Sequence, residues 1–410
     1  MINHKKINSF ELIAIHFKKE LKSILTDKGA MLILIGAMII YPIIYSIGYY
    51  HETLTNLPIG IVDLDHTVAS RKYSNMVDAS SEVNVTYKPF DLKEAQSLFF
   101  DNKISGVILI PKGFQKEVFA GNQANIAIYA DGSYFLKYKN EYMAAAYSNA
   151  YFSGGIAIKR YMAEGKSFAQ AVVNANPLSI QTHILYNPSS AYGSFIMPGI
   201  ILIIIQQTLL IGIGLLGGSF SESKKSPFLY PIEKRKKEVI PYLIGKAGVY
   251  LVISLFNVAM AVIMVHDWFS YPDKSSFLNI MMLLFPYLLS VIILGIGIST
   301  LFKHRESAIV FLVFLSPIAL FLSGVSWPTS AMPEWIVYLS KLMPSTTAVP
   351  AYLRLRSMGV GIHNVKSEIL SLYAQTGIYA ILTIIYFFIR LANDKNSHRK
   401  QFHKSILTNN

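Results

Sequence analysis

Cysteine is absent from this chain of 410 residues, and charged residues are scarce. Without cysteine the chain can form no disulfide, thiolate nucleophile or cysteine-ligated metal site, which excludes thiol redox, zinc-finger and iron–sulfur proteins. Charged residues make up 15% of the chain, whereas soluble domains contain about a quarter. Hydrophobic residues reach 52%, and the mean hydropathy is +0.40. The composition therefore indicates a membrane protein.

Enzyme motifs are also missing. The Gly-Lys-Ser run at 165–167 matches the end of a phosphate-binding loop, but Arg160 occupies the place of its first glycine, within a predicted helix. The turn with Asp63 and Asp65 could hold a hard cation, although carboxylates after a strand more often cap the following helix. We therefore predict no catalytic residue, cofactor or metal on this chain, and we predict that it is not an enzyme.

What the chain does contain is long apolar runs, one near its start and the others after residue 195. Each run but the fifth supplies the roughly 20 apolar residues that cross about 30 Å of hydrocarbon. The fifth is shorter and contains Pro317. We predict six transmembrane helices, at 31–50, 195–217, 240–265, 277–301, 308–322 and 370–389.

The net charge of +13 comes from basic residues that flank these runs. The segment 51–190 is charge-balanced, which argues against nucleic acid as a partner. By the positive-inside rule the basic flanks are cytoplasmic, so both termini are predicted inside a multi-pass protein of the inner (cytoplasmic) membrane. The flanking residues are Lys5, Lys6, Lys18, Lys19, Lys22 and Lys28 before the first run, Lys224, Lys225, Lys234, Arg235, Lys236 and Lys237 after the second, Lys303 and Arg305 after the fourth, and Arg390, Lys395, Arg399, Lys400 and Lys404 after the last.

The segment 51–190 has soluble-domain character, and the same rule places it outside the membrane. Its alternation of β-rich runs and helical periods predicts a small α/β domain. A long helical stretch from 134 toward 171, interrupted by the Ser-Gly-Gly run at 153–155, then leads back to the membrane. The other predicted elements are strands at 58–63, 83–87, 106–110 and 126–129 and helices at 67–79 and 91–102, the second capped by Asp91.

The predicted fold class is therefore an α-helical polytopic membrane protein with six transmembrane helices and an inserted extracytoplasmic α/β domain. Residues 1–30 form a cytoplasmic amphipathic helix, and 393–410 form a cytoplasmic tail. The helix suits the inner membrane surface, either as a functional elbow or as an ordinary juxtamembrane helix on anionic lipid. Its apolar residues, spaced by three and four, are Phe10, Ile13, Ala14, Phe17, Leu21, Ile24 and Leu25.

Ionisable groups are almost absent from the predicted spans, although coupled transporters place such groups at membrane depth. The polar groups near the middle of the second and third spans are neutral amides, namely Gln206, Gln207 and Asn257. They either hydrogen-bond between helices or line a route for an amphipathic substrate. In both cases the energy for transport must come from another source.

Three blocks near the end of the chain, at 321–328, 332–335 and 342–346, resemble the ABC-2 type transporter permeases. The first contains the S-G-x-x-x-P turn that ends the fifth span of that family, the second a Met-Pro pair, and the third a Pro-Ser-Thr run. The inserted segment resembles the subgroup with a large extracytoplasmic domain between spans one and two. The matching stretches in the insert are 62–65, 70–71, 94–95, 106–111, 113–114 and Gly121.

The resemblance implies a dimer of six-span halves, identical or different, driven by nucleotide-binding ATPase subunits that carry ATP and Mg. It also implies a short helix after the second span that rests on the ATPase. Glu222 and the Gly-Lys pair at 245–246 match the family pattern there, whereas 223–227 depart from it. Binding to anionic lipid is the alternative role for this basic loop. The candidate coupling residues are Glu222, Lys224, Lys225, Lys234, Arg235, Lys236 and Lys237.

The stretch 327–350 holds four prolines and two tryptophans and is too broken to be a span. The resemblance implies a re-entrant segment here that caps the exit of the transport route, because broken backbone at membrane depth must be shielded from lipid. An interfacial aromatic loop is the alternative. The candidate cap residues are Ser323, Gly324, Trp327, Pro328, Met332, Pro333 and Pro344.

These observations favour the permease subunit of an ATP-binding-cassette exporter that moves a hydrophobic or amphipathic compound out of the cytoplasm or inner leaflet. We predict multidrug or lipid efflux, although the sequence does not identify the substrate. A periplasmic adaptor that docks on the inserted domain is a further candidate partner, beside the lipid membrane. The alternatives are a non-transporting membrane receptor or docking protein that uses the α/β domain, and a proton-driven secondary transporter.

Overall fold

The computed structural model describes residues 8–51, 53–188, 190–223, 227–229 and 235–408, without the side chains of 264 and 394–408. The chain divides into two compact units, Thr53–Ile184 and the remaining chain on both sides of it. We call them the α/β unit and the helical unit. The α-helices are α1 Ser9–Thr26, α2 Lys28–Met31, α3 Met38–Gly48, α4 Val68–Asp78, α5 Leu92–Phe100, α6 Phe114–Ala120, α7 Phe135–Ala163, α8 Phe168–Ala175, α9 Tyr192–Glu222, α10 Val239–Phe269, α11 Phe277–Ser299, α12 Arg305–Leu322, α13 Glu334–Ser340, α14 Pro344–Leu353 and α15 Lys366–Thr408.

Six helical stretches of the described chain are long and apolar enough to cross a membrane. They correspond in order to the six predicted spans, with shifts at their ends. The fifth begins at Arg305 instead of 308, and the sixth is much longer than predicted because its helix continues on both sides of the apolar run. The stretches are Lys28–Gly48, Tyr192–Glu222, Arg235–Phe269, Phe277–Ser299, Arg305–Leu322 and Ile362–Asn393.

Helix α9 forms the centre of the helical unit. It is apolar on all sides, and most of its side chains are buried, as expected for a helix surrounded by others. It contacts α3, α11, α12 and α14. Glycines in α9 let these neighbours come close: a Cβ at Gly217 would lie 2.6 Å from the Cβ of Ser299 in α11.

The first span is not a regular helix. Between α2 and α3 lies a π-helical stretch, Leu32–Ala37, which the sequence pattern did not predict. The Leu34 carbonyl in this stretch accepts a hydrogen bond from Asn257 Nδ2 in α10 at 2.7 Å. Single π turns commonly occur at functional positions in helices. The amide of Asn257 therefore fixes the irregular part of the first span against α10.

Short helical pieces follow α12. A 3-10 turn, Thr329–Ala331, precedes α13 and α14, and a π turn, Arg354–Met358, follows them. Prolines mark the beginnings of α13 and α14, since Pro333 is the N-cap of α13 and Pro344 is the first residue of α14.

The α/β unit is built on a four-stranded sheet with the strand order β2-β1-β3-β4. Strand β1 pairs in parallel with β2 and β3, whereas β4 runs antiparallel to β3. Helices α4, α6 and α7 cover one face, where Ile59 and Ile61 are buried, and α5 covers the other over Val62. The strands are β1 Leu57–Asp63, β2 Val83–Tyr87, β3 Gly106–Ile110 and β4 Ala127–Ala130.

Strands β2 and β3 coincide with their predicted ranges, and Asp91 caps α5 as predicted, since its Oδ1 accepts from Glu94 N at 2.8 Å. The interruption predicted at 153–155 is wrong. Helix α7 runs through these residues because Phe152 and Ile156 pack on the same core, and the helix ends near Gly165, whose φ is +87°. Packing has outweighed the weak helix propensity of two glycines.

The turn after β1 uses its carboxylates for capping. Asp63 Oδ2 accepts from Ser70 Oγ at 2.7 Å, and Asp65 accepts from the backbone amides of Gly113 and Gln115 at 2.8 and 2.9 Å. Burial opposes ionisation of Asp65, but its hydrogen bonds from Thr67 and these amides outweigh that effect and lower its pKa. The acidic turn therefore joins β1 to α4 and α6.

Candidate functional site

Charged side chains gather where α1 packs against the beginning of α10. His16 in α1 and Glu238, the N-cap of α10, are both buried, and His16 Nε2 lies 2.8 Å from Glu238 Oε1. A buried carboxylate needs a partner of this kind, because an unpaired buried charge is costly. The pair joins two helices whose residues are far apart in the sequence.

Glu238 also holds the loop that precedes it. Its Oε1 accepts from the backbone amide of Leu229 at 2.7 Å. Next to Leu229, the Phe228 ring is buried against the rings of Tyr242 in α10 and Phe387 in α15, with centroid distances of 5.5 and 6.1 Å. One carboxylate thus connects α1, the loop after α9, and α10. We call His16, Leu229 and Glu238 the Glu238 junction.

A second pair lies one turn further along α1 and about two turns further along α10. Lys246 Nζ in α10 is 3.1 Å from Glu20 Oε1 in α1, and Tyr250 Oη donates to the same carboxylate. The close approach of the helices depends on Gly245, where a Cβ would lie 2.6 Å from the Ile13 carbonyl oxygen. The helix α1 is therefore held against α10 by polar contacts and by a glycine that admits its backbone.

A third contact closes the same end of the helical unit. Asp27 caps α2 and accepts from both terminal nitrogens of Arg305 in α12, at 2.6 and 2.9 Å. Burial opposes ionisation of Asp27, but the Arg305 hydrogen bonds and the capped amides outweigh it and lower its pKa. Glu222, at the end of α9, accepts from the Arg305 backbone amide at 2.7 Å. The beginnings of α2 and α12 are thereby tied to the end of α9.

Of the predicted coupling residues, the structure describes four. Glu222 contacts Arg305 as given above, and Arg235, Lys236 and Lys237 form a 3-10 turn, Arg235–Glu238, that leads into the junction. Lys236 and Lys237 are exposed. Lys224, Lys225 and Lys234 lie outside the described residues. The coupling role of the whole set stays a prediction.

The pattern of residues in α1 had not indicated His16 or Glu20, although both face α10. The apolar stripe predicted for this helix includes Ile24, which is buried, but also Phe10 and Leu25, which are exposed. The other buried positions, Leu12 and His16, lie outside the predicted stripe. A repeat of four, through 12, 16, 20 and 24, was the available signal. It was hidden because two of its members are polar.

The three amides proposed to line a route occupy different environments. Gln206 Oε1 accepts from the Ser345 backbone amide at 2.9 Å, so this side chain binds the beginning of α14. Asn257 donates to Leu34, as described above. Gln207 is buried, and neither of its polar atoms has a hydrogen-bond partner in the described part of the chain. Their role in substrate passage stays a prediction.

The predicted cap residues all lie between the end of α12 and the beginning of α14. Ser323 is buried and accepts from Val325 N at 3.3 Å, and Gly324 adopts φ +82°, a conformation that favours glycine. Trp327 is half exposed, and Pro328 is the N-cap of the following turn. Met332 is buried. Pro333 and Pro344 begin α13 and α14, as described above. Whether the segment re-enters the membrane stays a prediction.

A separate polar cluster lies at the other end of α10. Arg356 is fully buried, and its guanidinium donates to His266 Nδ1 at 3.0 Å, Tyr352 Oη at 3.1 Å and Asp273 Oδ2 at 2.7 Å. A buried guanidinium is costly unless it is paired, and here each of its three nitrogens donates to a partner. The cluster joins α10, the loop after it and α14. Within the described residues, no group of three or more histidines or carboxylates could hold a metal ion.

Comparisons with known proteins agree on one family. The model of the family described as "ABC-2 family transporter protein" matches residues 28–385. "Inner membrane transport permease YhhJ" of Escherichia coli (strain K12) is 25% identical over 383 residues, which cover 90% of this chain and 95% of the relative. "Probable multidrug ABC transporter permease YbhR" of the same organism is 24% identical over 336 residues, covering 80% and 84%. No solved structure was found to match the chain.

Proposed function

This chain belongs to the ABC-2 family of transporter proteins, and from that premise we propose that it is the permease subunit of an exporter driven by a separate ATPase. Its relatives are named as a transport permease of the inner membrane and as a multidrug permease. These names support the export of a hydrophobic or amphipathic compound. The ATPase subunit would carry ATP and Mg, and a second permease half, identical or different, would complete the transporter.

The observation that carries this proposal is the Glu238 junction. The basic 3-10 turn Arg235–Glu238 presents exposed lysines to a soluble partner, and its last residue is bonded to both α1 and the loop after α9. Acidic surface on the ATPase would complement these lysines. A displacement of the turn by the ATPase would therefore move α1 and α10 together, because Glu238 is the N-cap of α10.

Substrate would pass beside α9 in this proposal. Gln207 is the strongest candidate for contact with the substrate, since its buried amide has no hydrogen-bond partner among the described residues and can bond to a passing polar group. By helical periodicity Gln207 shares a face with Gly214, which packs against Leu312 in α12. The α9–α12 surface is thus the proposed side of the route.

The α/β unit is proposed to lie outside the cytoplasm, with both chain termini inside. The basic flanks of the spans support this orientation. A periplasmic adaptor is a candidate partner for the unit, because the unit is compact and exposes apolar side chains such as Phe100 and Phe119, 70% and 71% exposed.

The proposal is tested by Glu238→Gln in the full transporter, reconstituted with its ATPase in vesicles. Removing the charge weakens the bonds to His16 and Leu229, and a charge-assisted hydrogen bond contributes about 1.5–3 kcal/mol. We expect transport per ATP hydrolysed to fall about tenfold, while ATP hydrolysis continues. The measurement is substrate uptake and phosphate release in the same vesicles.

The matched control is Glu306→Gln, which alters an exposed glutamate in the first turn of α12. It should leave the ratio of transport to hydrolysis unchanged. Equal loss of both activities in Glu238→Gln, or no loss of either, would contradict the coupling role. Failure to co-purify any ATPase with the chain under mild extraction would contradict the proposed function itself.

A further inference from the structure

Aromatic side chains converge at the end of the helical unit where α3 and α10 terminate. Two segments, 49–50 and 268–271, line an open cavity of about 380 Å³ between them. Cavities that bind small molecules begin at about this size. We call this cavity the aromatic cage. Its lining residues are Tyr49, Tyr50, Trp268, Phe269, Ser270 and Tyr271.

The backbone at Ser270 shapes the cage. This residue follows α10 directly and adopts φ +52°, in the left-handed region that residues other than glycine rarely occupy. The left-handed residue turns the chain, and the rings on either side of it, Phe269 and Tyr271, stack with their centroids 6.0 Å apart. Backbone strain of this kind persists only where the surroundings enforce it, and it is commonest at functional positions.

The rings of the cage differ in exposure: one is buried at its base, and two are exposed at its sides. Tyr271 is 4% exposed and packs against His266, with centroids 5.9 Å apart. Tyr50 and Trp268 are 68% and 60% exposed. The rings of an interfacial belt anchor a protein one by one at the level of the headgroups. Rings that meet around a cavity can instead surround a bound group.

The charges near the cage favour a cation. Among the residues that the structure describes, no lysine or arginine lines the cavity. The side chain of Lys274 lies over the Tyr186 ring, 5.3 Å from its centroid. Asp273 is bonded to Arg356. Asp267, which immediately precedes Trp268, is exposed and forms no ion pair in the part of the chain that the structure describes. Asp267 therefore adds an acidic side chain beside Trp268 in the sequence, although it does not line the cavity itself.

From this arrangement we infer that the aromatic cage binds a quaternary ammonium group. Aromatic faces attract such cations through the ring quadrupole, and several rings around one cation recognise methylated ammonium in preference to smaller, strongly hydrated ions. The group can belong to a small organic cation or to the headgroup of a choline lipid. The inference concerns binding alone and does not rest on the proposed export function.

Fluorescence of Trp268 provides the test, because the chain contains only three tryptophans. The full-length chain with Trp327→Phe and Trp335→Phe, in nanodiscs of phosphatidylglycerol, is titrated with tetramethylammonium and with choline. We expect a saturable change in Trp268 emission with both cations. The neutral isostere of choline, 3,3-dimethylbutan-1-ol, should give none at the same concentrations. An equal response to the neutral compound, or no saturable response to the cations, overturns the inference.

Substitutions at and near the cage distinguish a specific loss of binding from general damage to the fold. Tyr50→Leu should lower the affinity for tetramethylammonium about fivefold, which corresponds to about 1 kcal/mol for one cation–π contact. Tyr50→Phe keeps an aromatic ring and should keep the affinity. Asp267→Asn should also weaken binding. Tyr338→Leu removes an exposed tyrosine in α13, outside the cage, and is the matched control. Equal effects of Tyr50→Leu and Tyr338→Leu overturn the inference.

A second titration, in a different lipid, identifies the source of the ammonium group. The titration is repeated in nanodiscs that contain phosphatidylcholine. If the cage takes a lipid headgroup, phosphatidylcholine itself should change Trp268 emission and abolish the response to free tetramethylammonium. If the cage takes a soluble cation, the response should stay the same in both lipids. Both results support the cage, and they assign its ligand to different sources.

Discussion

Glu141 is a buried acid in the α/β unit. It lies in α7, 3% exposed, and neither oxygen has a hydrogen-bond partner within the described residues. Its carboxylate fills the space beside Gly106 in β3, where a Cβ would lie 2.8 Å from Glu141 Cδ. Burial raises the pKa of Glu141 above its ordinary value of 4.5, and this effect outweighs the nearby Ser105 hydroxyl and the charge of Lys137, which favour ionisation. The charge of Asp131 adds to the effect of burial. The ionised form is therefore unfavourable in the folded α/β unit.

The raised pKa predicts how the stability of the unit depends on pH. A protonated Glu141 contributes stability that is fully present below the unfolded pKa, near 4.5, and is lost as the pH rises through the folded pKa. We expect Glu141→Gln to stabilise the unit at pH 8 by about 1 kcal/mol, because the buried charge is removed. The difference from the natural chain should shrink toward pH 4.5.

Hydrogen exchange of α7 in the full-length chain measures this effect, with both proteins compared at the same pH. Slower exchange in Glu141→Gln at pH 8 is the expected result. Glu164→Gln, an exposed change in the residue that follows α7, should not alter exchange at either pH. Faster exchange in Glu141→Gln at pH 8 would show that the carboxylate stabilises the unit through a contact that forms in solution.

At the scale of elements, the packing of α1 on α10 depends on two glycines with different surroundings. A Cβ at Gly245 would press on the α1 backbone, since the Ile13 carbonyl oxygen would be 2.6 Å away and Phe17 N 3.1 Å away. A Cβ at Gly248 would meet only the Phe17 ring, at 3.4 Å or more, which is ordinary contact. The two positions therefore form a matched pair.

We predict that Gly245→Ala separates α1 from α10 and breaks the His16–Glu238 contact. Backbone atoms cannot move aside cheaply, so the expected cost is about 1–3 kcal/mol, whereas Gly248→Ala should be tolerated. Hydrogen exchange of α1 and the melting temperature of the purified chain measure the two variants. Equal behaviour of both variants would contradict the close packing at Gly245.

The helical elements could be predicted from sequence because an apolar run of sufficient length has few other structures open to it in lipid. The ends of the spans were less predictable. At Arg305, for example, the helix begins at a residue whose guanidinium is neutralised by Asp27, and no local pattern reveals a partner so far away. The π turn at Leu32–Ala37 was missed for the same reason, since Asn257 in α10 satisfies its carbonyl.

The candidate site was predictable only in outline. The basic loop was noticed because its lysines are consecutive, and the predicted set stops at Lys237, one residue before Glu238. The buried partners His16 and Glu238 are separated by 222 positions, and a polar residue on an amphipathic helix gives no sign of facing inward. The amides Gln206 and Asn257 were identified as polar groups in the spans, but their partners, Ser345 and Leu34, required the folded chain.

For the whole molecule, the absence of cysteine makes the predicted orientation directly testable. A single cysteine introduced at an exposed position is the only thiol in the chain. We predict that Ser153→Cys, in the α/β unit, reacts with a membrane-impermeant maleimide in cells whose outer membrane alone has been opened. Ser307→Cys, in the first turn of α12, should react only after the inner membrane is also opened.

Both serines are exposed, so burial does not explain a difference between them. Denatured protein serves as the control for total reactivity. Labelling of Ser307→Cys without labelling of Ser153→Cys in the first condition would reverse the orientation and would contradict the assignment by positive charge. Labelling of both positions would place the α/β unit and the beginning of α12 on one side, which the predicted six spans do not allow.

Helix α15 runs unbroken from Lys366 to Thr408, although its candidate span ends at Asn393. Its 43 residues make a rod about 65 Å long, about twice the thickness of the hydrocarbon layer. Such a rod acts as a lever: a tilt of about 10° around the middle of the span moves the distal tip by about 8 Å. A small tilt of the span therefore produces a larger displacement near Thr408, which a probe attached there could measure.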